Sequence, residues 1–183
     1  RSEDVRARLN VLSEMPTEWR TRIRRWRQLT RSLRQSLDDQ LTAPTRRDEY
    51  LYYQAIVGIW PLEPPDEQAL RSLADRLVAY MIKAAREAKE HTSWMRPNDA
   101  YEGALERFIR APLLEADRHF GADVADFARE IIPYGLLNSL SLTCLRLTAP
   151  GSRFRRRGPG PSFRPASAPT SRGPGTAARD RPA

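Results

Sequence analysis

Apolar residues spaced three and four positions apart recur through the first 150 residues, and this spacing most constrains the fold. In the first long run they are Trp19, Ile23, Trp26, Leu29, Leu33 and Leu37. Such spacing places side chains on one stripe of an α-helix with 3.6 residues per turn. No pair of segments shows the strict alternation of a half-buried strand. The pattern therefore predicts a mainly α chain.

The same periodicity predicts helices near 3–14, 16–37, 47–59, 67–90, 99–111, 123–132 and 134–148. The helix at 67–90 has the clearest apolar face, formed by Leu70, Leu73, Leu77, Tyr80, Met81, Ala84 and Ala88. Asn98 is predicted to cap the next helix, because a short polar side chain can accept a hydrogen bond from the first turn. That helix should bury Tyr101, Leu105, Phe108 and Ile109. Pro112 and Pro133 are predicted to end or kink helices.

The composition changes abruptly near Pro150. Residues 151–183 contain six Pro and five Gly, and their only large apolar residues are Phe154 and Phe163. Such a segment cannot bury enough surface to offset the entropy of ordering, so a disordered Arg/Pro/Gly-rich tail is predicted. Two explanations of the tail stay open, a natural basic extension and a coding sequence translated out of frame.

The net charge of +8 is concentrated in this tail. Residues 151–183 contain eight Arg and one Asp, so they contribute +7, and residues 1–150 are almost neutral. A basic tail without interleaved aromatic residues predicts at most non-specific binding of nucleic acid. A non-catalytic basic protein that acts through this tail is therefore an alternative function.

Other sequence features narrow the class of protein. No apolar run reaches the roughly 18–20 residues that cross a bilayer, so no membrane contact is expected. Cys144, the single cysteine, lies in an apolar run and is predicted to be a buried, inert thiol, as in a cytoplasmic protein. Neither a phosphate-binding glycine loop nor metal-ligand spacing is present, so no metal site and no cofactor are predicted.

One polar cluster could carry chemistry. His91, Thr92 and Trp94 end the helix at 67–90, and Asn98, Tyr101 and Glu102 open the next. Aromatic rings that stack on sugar C–H faces, beside polar groups that bind hydroxyls, are typical of carbohydrate sites. The alternative is a structural helix–helix corner, with Thr92 and Asn98 as caps and Trp94 packed in the core.

Several blocks of the first 150 residues resemble maltooligosyl trehalose synthases. They occur in that family's order, at 1–16 with Trp19, at 48–54, at 58–62, at 80–94, at 97–98, at 100–102 and at 137–141. The opening block and the block that ends in His91-Thr-Ser-Trp94 are the most specific.

This resemblance implies a fold and an activity that the periodicity does not show. Residues 1–150 would be the helical region between the last two strands of an α-amylase-type (β/α)8 barrel enzyme. The intact enzyme would act on a maltooligosaccharide or α-1,4-glucan without a cofactor. It would convert the reducing-end α-1,4 linkage into an α,α-1,1 linkage by intramolecular transglucosylation, formally an isomerisation. A functional link to a maltooligosyl trehalose trehalohydrolase is also expected.

The resemblance implies that the catalytic carboxylates precede Arg1, so no catalytic residue is predicted in this chain and the chain alone should be inactive. The candidate sugar contacts are His91, Trp94, Tyr101 and Glu102. Arg1 and Glu3, which neighbour a catalytic His-Asp motif of the family, are further candidates. After Pro150 the sequence departs from the family, so the last barrel strand and the C-terminal domain are expected to be missing.

Overall fold

A computed structural model describes residues 3–38, 41–115 and 119–149. Arg1 and the tail at 151–183 lie outside these ranges. The described part is mainly α-helical, as the sequence predicts. Its helices are α1 Glu3–Asn10, α2 Pro16–Leu29, α3 Arg46–Ile59, α4 Glu67–Ala88, α5 Asp99–Leu114 and α6 His119–Thr148. Two short antiparallel strands, β1 Gln35–Ser36 and β2 Thr42–Ala43, pair with Gln35 opposite Ala43.

Three helices begin at polar caps that the sequence supplies. Thr45, Asp66 and Asn98 each accept a hydrogen bond from the backbone N–H three residues later. These bonds satisfy donors that the first helical turn leaves without partners. The cap predicted at Asn98 is therefore confirmed.

The predicted apolar face of α5 is confirmed, and that of α4 needs a correction. Tyr101, Leu105, Phe108 and Ile109 of α5 are all fully buried. On α4, Leu70, Leu73, Leu77 and Met81 are buried as expected. Near the end of α4 the buried residue is Ala85, whereas Ala88, the last residue of the helix, is exposed.

The helix predicted at 16–37 ends earlier, at Leu29. The hydroxyl of Thr30 donates to the carbonyl oxygen of Trp26 at 2.9 Å and lies 2.8 Å from the hydroxyl of Tyr53. A single 3-10 turn, Arg31–Leu33, follows and leads into β1. The short strand pair was not predicted, because two residues cannot show an alternating pattern.

Pro112 lies close to the end of its helix, as predicted, whereas Pro133 does not end one. Pro112 lies in the last turn of α5, and α6 continues through Pro133, so the helices predicted at 123–132 and 134–148 are one. Pro133 and Arg129, whose carbonyl loses its N–H partner, are both exposed, so water can hydrate that oxygen. The buried residues Ile132 and Gly135 hold the helix on either side.

Aromatic rings from four helices form the centre of the core. The Trp19 ring stacks on Phe127 with centroids 5.7 Å apart, and Trp26 meets Trp19 edge to face at 5.6 Å. The indole N–H of Trp26 donates to Asp123 at 2.7 Å, and Arg22 and Arg25 form ion pairs with the same carboxylate at 2.9 Å. The one buried carboxylate at this position is thus paired, as burial of a charge requires.

Helix α1 lies closely against α3 and α6, and two glycines allow this approach. A Cβ added at Gly58 would lie 2.8 Å from Cγ1 of Val5, and one added at Gly135 would lie 2.9 Å from Cα of Arg8. The Arg8 guanidinium donates to the carbonyl oxygen of Trp60 at 2.6 Å. The first helix is therefore fixed by backbone contact as well as by hydrogen bonds.

The second half of α6 extends beyond the core. Its large apolar side chains are mostly more than half exposed: Tyr134, Leu136, Leu137, Leu140, Leu142, Leu145 and Leu147. Cys144 lies on this segment and is exposed, so the predicted burial of its thiol is wrong. The apolar run indicated burial, but its leucine side chains remain exposed in the described part of the chain. Within the described ranges, no helix is long and apolar enough to cross a membrane.

Candidate functional site

The loop between α4 and α5 gathers most of the predicted site residues. Helix α4 is capped at its C-terminus by Lys89, whose backbone is left-handed with φ 58°. The backbone N–H of Asn98 donates to the hydroxyl of Thr92 at 3.1 Å, and the side-chain amide of Asn98 donates to the carbonyl oxygen of His91 at 3.2 Å. These bonds fold the loop back on itself and fix the ends of the two helices together.

Glu102 lies under this loop, nearly buried and fully paired. Arg86 donates to its two carboxylate oxygens at 2.7 and 2.6 Å, and the Thr92 hydroxyl donates to it at 2.6 Å. The hydrogen bond from Arg86 lowers the pKa of Glu102, more than burial raises it. Glu102 is therefore ionised at neutral pH and has no proton to give as a general acid.

Tyr101 is fully buried beside it. Its hydroxyl accepts from the amide of Thr45 at 3.3 Å and donates to Asp48. Burial, followed by the hydrogen bond to Asp48, raises the pKa of the Tyr101 phenol well above its ordinary range. The His91 ring lies on the Tyr101 ring at 5.2 Å with a tilt of 36°. The phenol thus joins the loop to the start of α3 and supports the partly buried imidazole.

Trp94 is exposed, unlike the packed corner residue of the structural alternative. Its side chain is 56% exposed, and the guanidinium carbon of Arg86 lies 4.9 Å from its ring centre. The same guanidinium therefore pairs with Glu102 and supports the indole. The other part of the corner interpretation holds, since Thr92 and Asn98 do organise the helix ends.

The remaining candidates lie elsewhere. Glu3 is on α1, where its carboxylate pairs with Arg146 of α6, a hydrogen bond that lowers the pKa of Glu3. Arg1 lies outside the described residues. The structure thus brings His91, Trp94, Tyr101 and Glu102 together and assigns Glu3 to a different contact.

Sequence reasoning missed Arg86, which holds the site together. A signal was available, because Arg86 belongs to the specific block at 80–94 and lies on the partly buried side of α4. Asp48, three residues after the cap Thr45, was a second signal of the same kind. Among the described residues, no group of three His, Cys, Asp or Glu side chains could hold a metal ion.

Comparison with known proteins places this arrangement in a larger context. No family model matches the chain. Curated proteins from two strains of Mycobacterium tuberculosis, both named maltooligosyl trehalose synthase, are 30% identical to it over 151 residues. This match covers 82% of the chain, but the chain spans only 18% of the length of these relatives.

Solved structures give the same result. A hypothetical maltooligosyl trehalose synthase from Sulfolobus tokodaii is 32% identical, with a TM-score of 0.66 over 81% of this chain and 19% of that one. A variant of maltooligosyltrehalose synthase from Arthrobacter ramosus is 32% identical, with a TM-score of 0.58 over 82% of this chain and 17% of that one. The helical fold and its polar loop thus correspond to one segment, less than a fifth of the length, of a family of larger proteins. That family is the maltooligosyl trehalose synthases.

Proposed function

We propose that this segment contributes the reducing-end sugar contacts of a maltooligosyl trehalose synthase, with Trp94 as the principal contact. The intact enzyme would move the reducing-end glucose of a maltooligosaccharide from an α-1,4 to an α,α-1,1 linkage, an intramolecular transglucosylation and formally an isomerisation. The observation that carries the proposal is the half-exposed indole of Trp94, supported by Arg86.

The geometry favours Trp94 and His91 as the direct contacts. Both rings have accessible surface, and each rests on a side chain that is itself held by hydrogen bonds, so they are held in place before a ligand arrives. Preorganised side chains bind with a smaller loss of conformational entropy. Tyr101 and Glu102 are engaged by Asp48, Thr45 and Arg86, so in this proposal they position the loop.

The chemistry itself requires groups beyond those described. A retaining glycosyl transfer uses a carboxylate nucleophile and a second carboxyl group that donates a proton and therefore needs a raised pKa. Glu102, the buried carboxylate nearest the loop, has a lowered pKa instead. We therefore propose that the catalytic carboxylates belong to parts of the enzyme outside this segment, and that this chain alone forms no product. The product of the intact enzyme would be the substrate of a maltooligosyl trehalose trehalohydrolase.

Titration of the full chain with maltopentaose tests the sugar contact. Trp94→Ala is compared with Tyr134→Ala, because both side chains are 56% exposed and Tyr134 lies on α6, away from the loop. We expect saturable binding, measured by calorimetry, that is lost in Trp94→Ala and kept in Tyr134→Ala. Equal binding by the two variants, or no binding by the parent chain at millimolar sugar, would contradict the proposal.

A further inference from the structure

A cluster of arginines forms a second candidate site, at the junction of α2 and α3. Arg27, Arg31, Arg34 and Arg46, with Gln28, line an open cavity of about 640 Å³. Arg27 lies in the last turn of α2, Arg31 begins the 3-10 turn and Arg34 follows that turn in extended conformation. Arg46, the first residue of α3, is the fourth arginine of the cluster.

The charges of this cluster are not balanced within the described residues. Glu49, fully buried, lies 2.9 Å from Arg46 and 3.4 Å from Arg27, and the hydroxyl of Tyr53 donates to it at 2.9 Å. Across the described ranges, Arg31 and Arg34 form no ion pair. Four guanidinium groups therefore face one carboxylate, which leaves an excess of three positive charges around one cavity.

Two buried donor atoms in this cluster make no hydrogen bond, the Nε atoms of Arg27 and Arg34. The Arg27 Nε is the atom that lies 3.4 Å from the Glu49 carboxylate, so of the two the Arg34 Nε alone has neither a hydrogen bond nor an ion pair. Arg34 uses another of its nitrogens to donate weakly to the carbonyl oxygen of Pro44 at 3.4 Å. A buried N–H without an acceptor costs about 1–3 kcal/mol, and more on a charged group, so such donors usually have a ligand or water as partner.

We infer that this cavity binds an oxyanion of phosphate geometry, either free phosphate or the phosphate group of a small sugar ester. The planar fork of arginine matches two oxygens of such an anion, and several arginines around one cavity are typical of phosphate recognition. The volume lies within the range of small-ligand sites, so the cavity also accommodates a hexose attached to the phosphate. The residues that line this cavity include none of the loop that carries Trp94, and the inference does not depend on the proposed sugar contact.

Arginine side-chain NMR signals of the ¹⁵N-labelled full chain provide the test. Inorganic phosphate and glucose 1-phosphate are titrated separately at constant ionic strength, with chloride as the reference anion. We expect saturable shifts of the Nε–Hε signals of Arg27 and Arg34. Tighter binding of glucose 1-phosphate would identify a sugar ester as the ligand, and equal binding would identify the phosphate group alone.

Matched variants separate this site from general attraction to basic residues. Arg31→Gln, at an exposed position, should weaken phosphate binding by about tenfold, the effect of one charge-assisted hydrogen bond. Arg31→Gln/Arg34→Gln should abolish the saturable shifts. Arg76→Gln, an equal change of charge at an exposed position of α4, should leave them unchanged. Shifts that grow linearly across all arginines, including the eight in residues 151–183, would overturn the inference.

Discussion

The guanidinium of Arg86 is shared between two neighbours, since it pairs with the Glu102 carboxylate at 2.6 Å and lies 4.9 Å from the ring centre of Trp94. The indole of Trp94 therefore buries little surface in the core, although it rests on a guanidinium that Glu102 holds in place. Trp94→Ala should reduce the free energy of unfolding by only about 0.5–1 kcal/mol, the contribution of one cation–π contact. Trp26→Ala, at a fully buried indole, should cost about 3–5 kcal/mol. Urea denaturation of both variants checks this, and similar losses would show that Trp94 has a structural role.

The Arg86–Glu102 pair makes stability depend on pH in the acid range. Because folding lowers the pKa of Glu102, the ionised carboxylate stabilises the fold above its unfolded pKa of about 4.3. That stabilisation is lost as the pH falls through the lower, folded pKa. Glu102→Gln should therefore cost about 1–3 kcal/mol at neutral pH, and the loss should shrink progressively below the unfolded value.

Thermal melts of Glu102→Gln at several pH values measure this effect. The control is Glu87→Gln, which removes one partner of the exposed Lys83–Glu87 pair. Exposed pairs contribute less than about 1 kcal/mol, so this variant should resemble the parent chain. A loss in Glu102→Gln that stayed constant with pH would rule out the pair as its origin.

The close approach of α1 to α6 predicts opposite effects for two glycine substitutions. Gly135→Ala places a methyl group 2.9 Å from Cα of Arg8, which must move, so we expect a loss of about 1–3 kcal/mol. Gly103→Ala meets nothing within 4 Å on α5 and should stabilise that helix by up to about 1 kcal/mol. Chemical denaturation of both variants measures the difference. A stabilised Gly135→Ala would mean that α1 is not held against α6.

The exposed apolar side of α6 should make the full chain self-associate, because patches of this kind are rarely left free in monomers. Leu137 and Leu140 are 59% and 61% exposed. Leu137→Gln/Leu140→Gln should therefore lower the concentration-dependent increase in apparent mass, measured by light scattering. The unfolding energy should change by less than about 0.5 kcal/mol. Leu62→Gln, at a 68% exposed leucine between α3 and α4, should leave association unchanged.

The helix starts were predictable because their caps are local, whereas the features that depend on tertiary contacts could not be predicted from the sequence pattern. Asn98 caps α5 by accepting a hydrogen bond from the backbone N–H of Tyr101, three positions later, so its role is visible in the sequence. Thr30 ends α2 partly through Tyr53, 23 residues away, which no local pattern shows. Pro133 remains within α6 because Gly135 is held against α1, a contact of residues more than 120 positions apart.

The candidate site was likewise predictable only in part. The order of the polar residues between α4 and α5 was enough to locate the loop. The exposure of each side chain to solvent was not predictable. Tyr101 and Trp94 are both aromatic, yet Tyr101 is fully buried and Trp94 is half exposed. The difference depends on the partners Asp48 and Arg86, which come from other turns and helices.

The ion pair between Glu3 and Arg146 brings together two residues 143 positions apart. Asp4 and Ser139 form a second link between the same helices, and Asn138 donates to the carbonyl oxygen of Ala7 at 3.2 Å. The start of α1 thus lies beside the second half of α6. Units with adjacent entry and exit can be accommodated as an excursion from a host fold without separating the host's own neighbouring elements. A helical bundle of this design can change in length or content during evolution while both of its attachment points stay where they are.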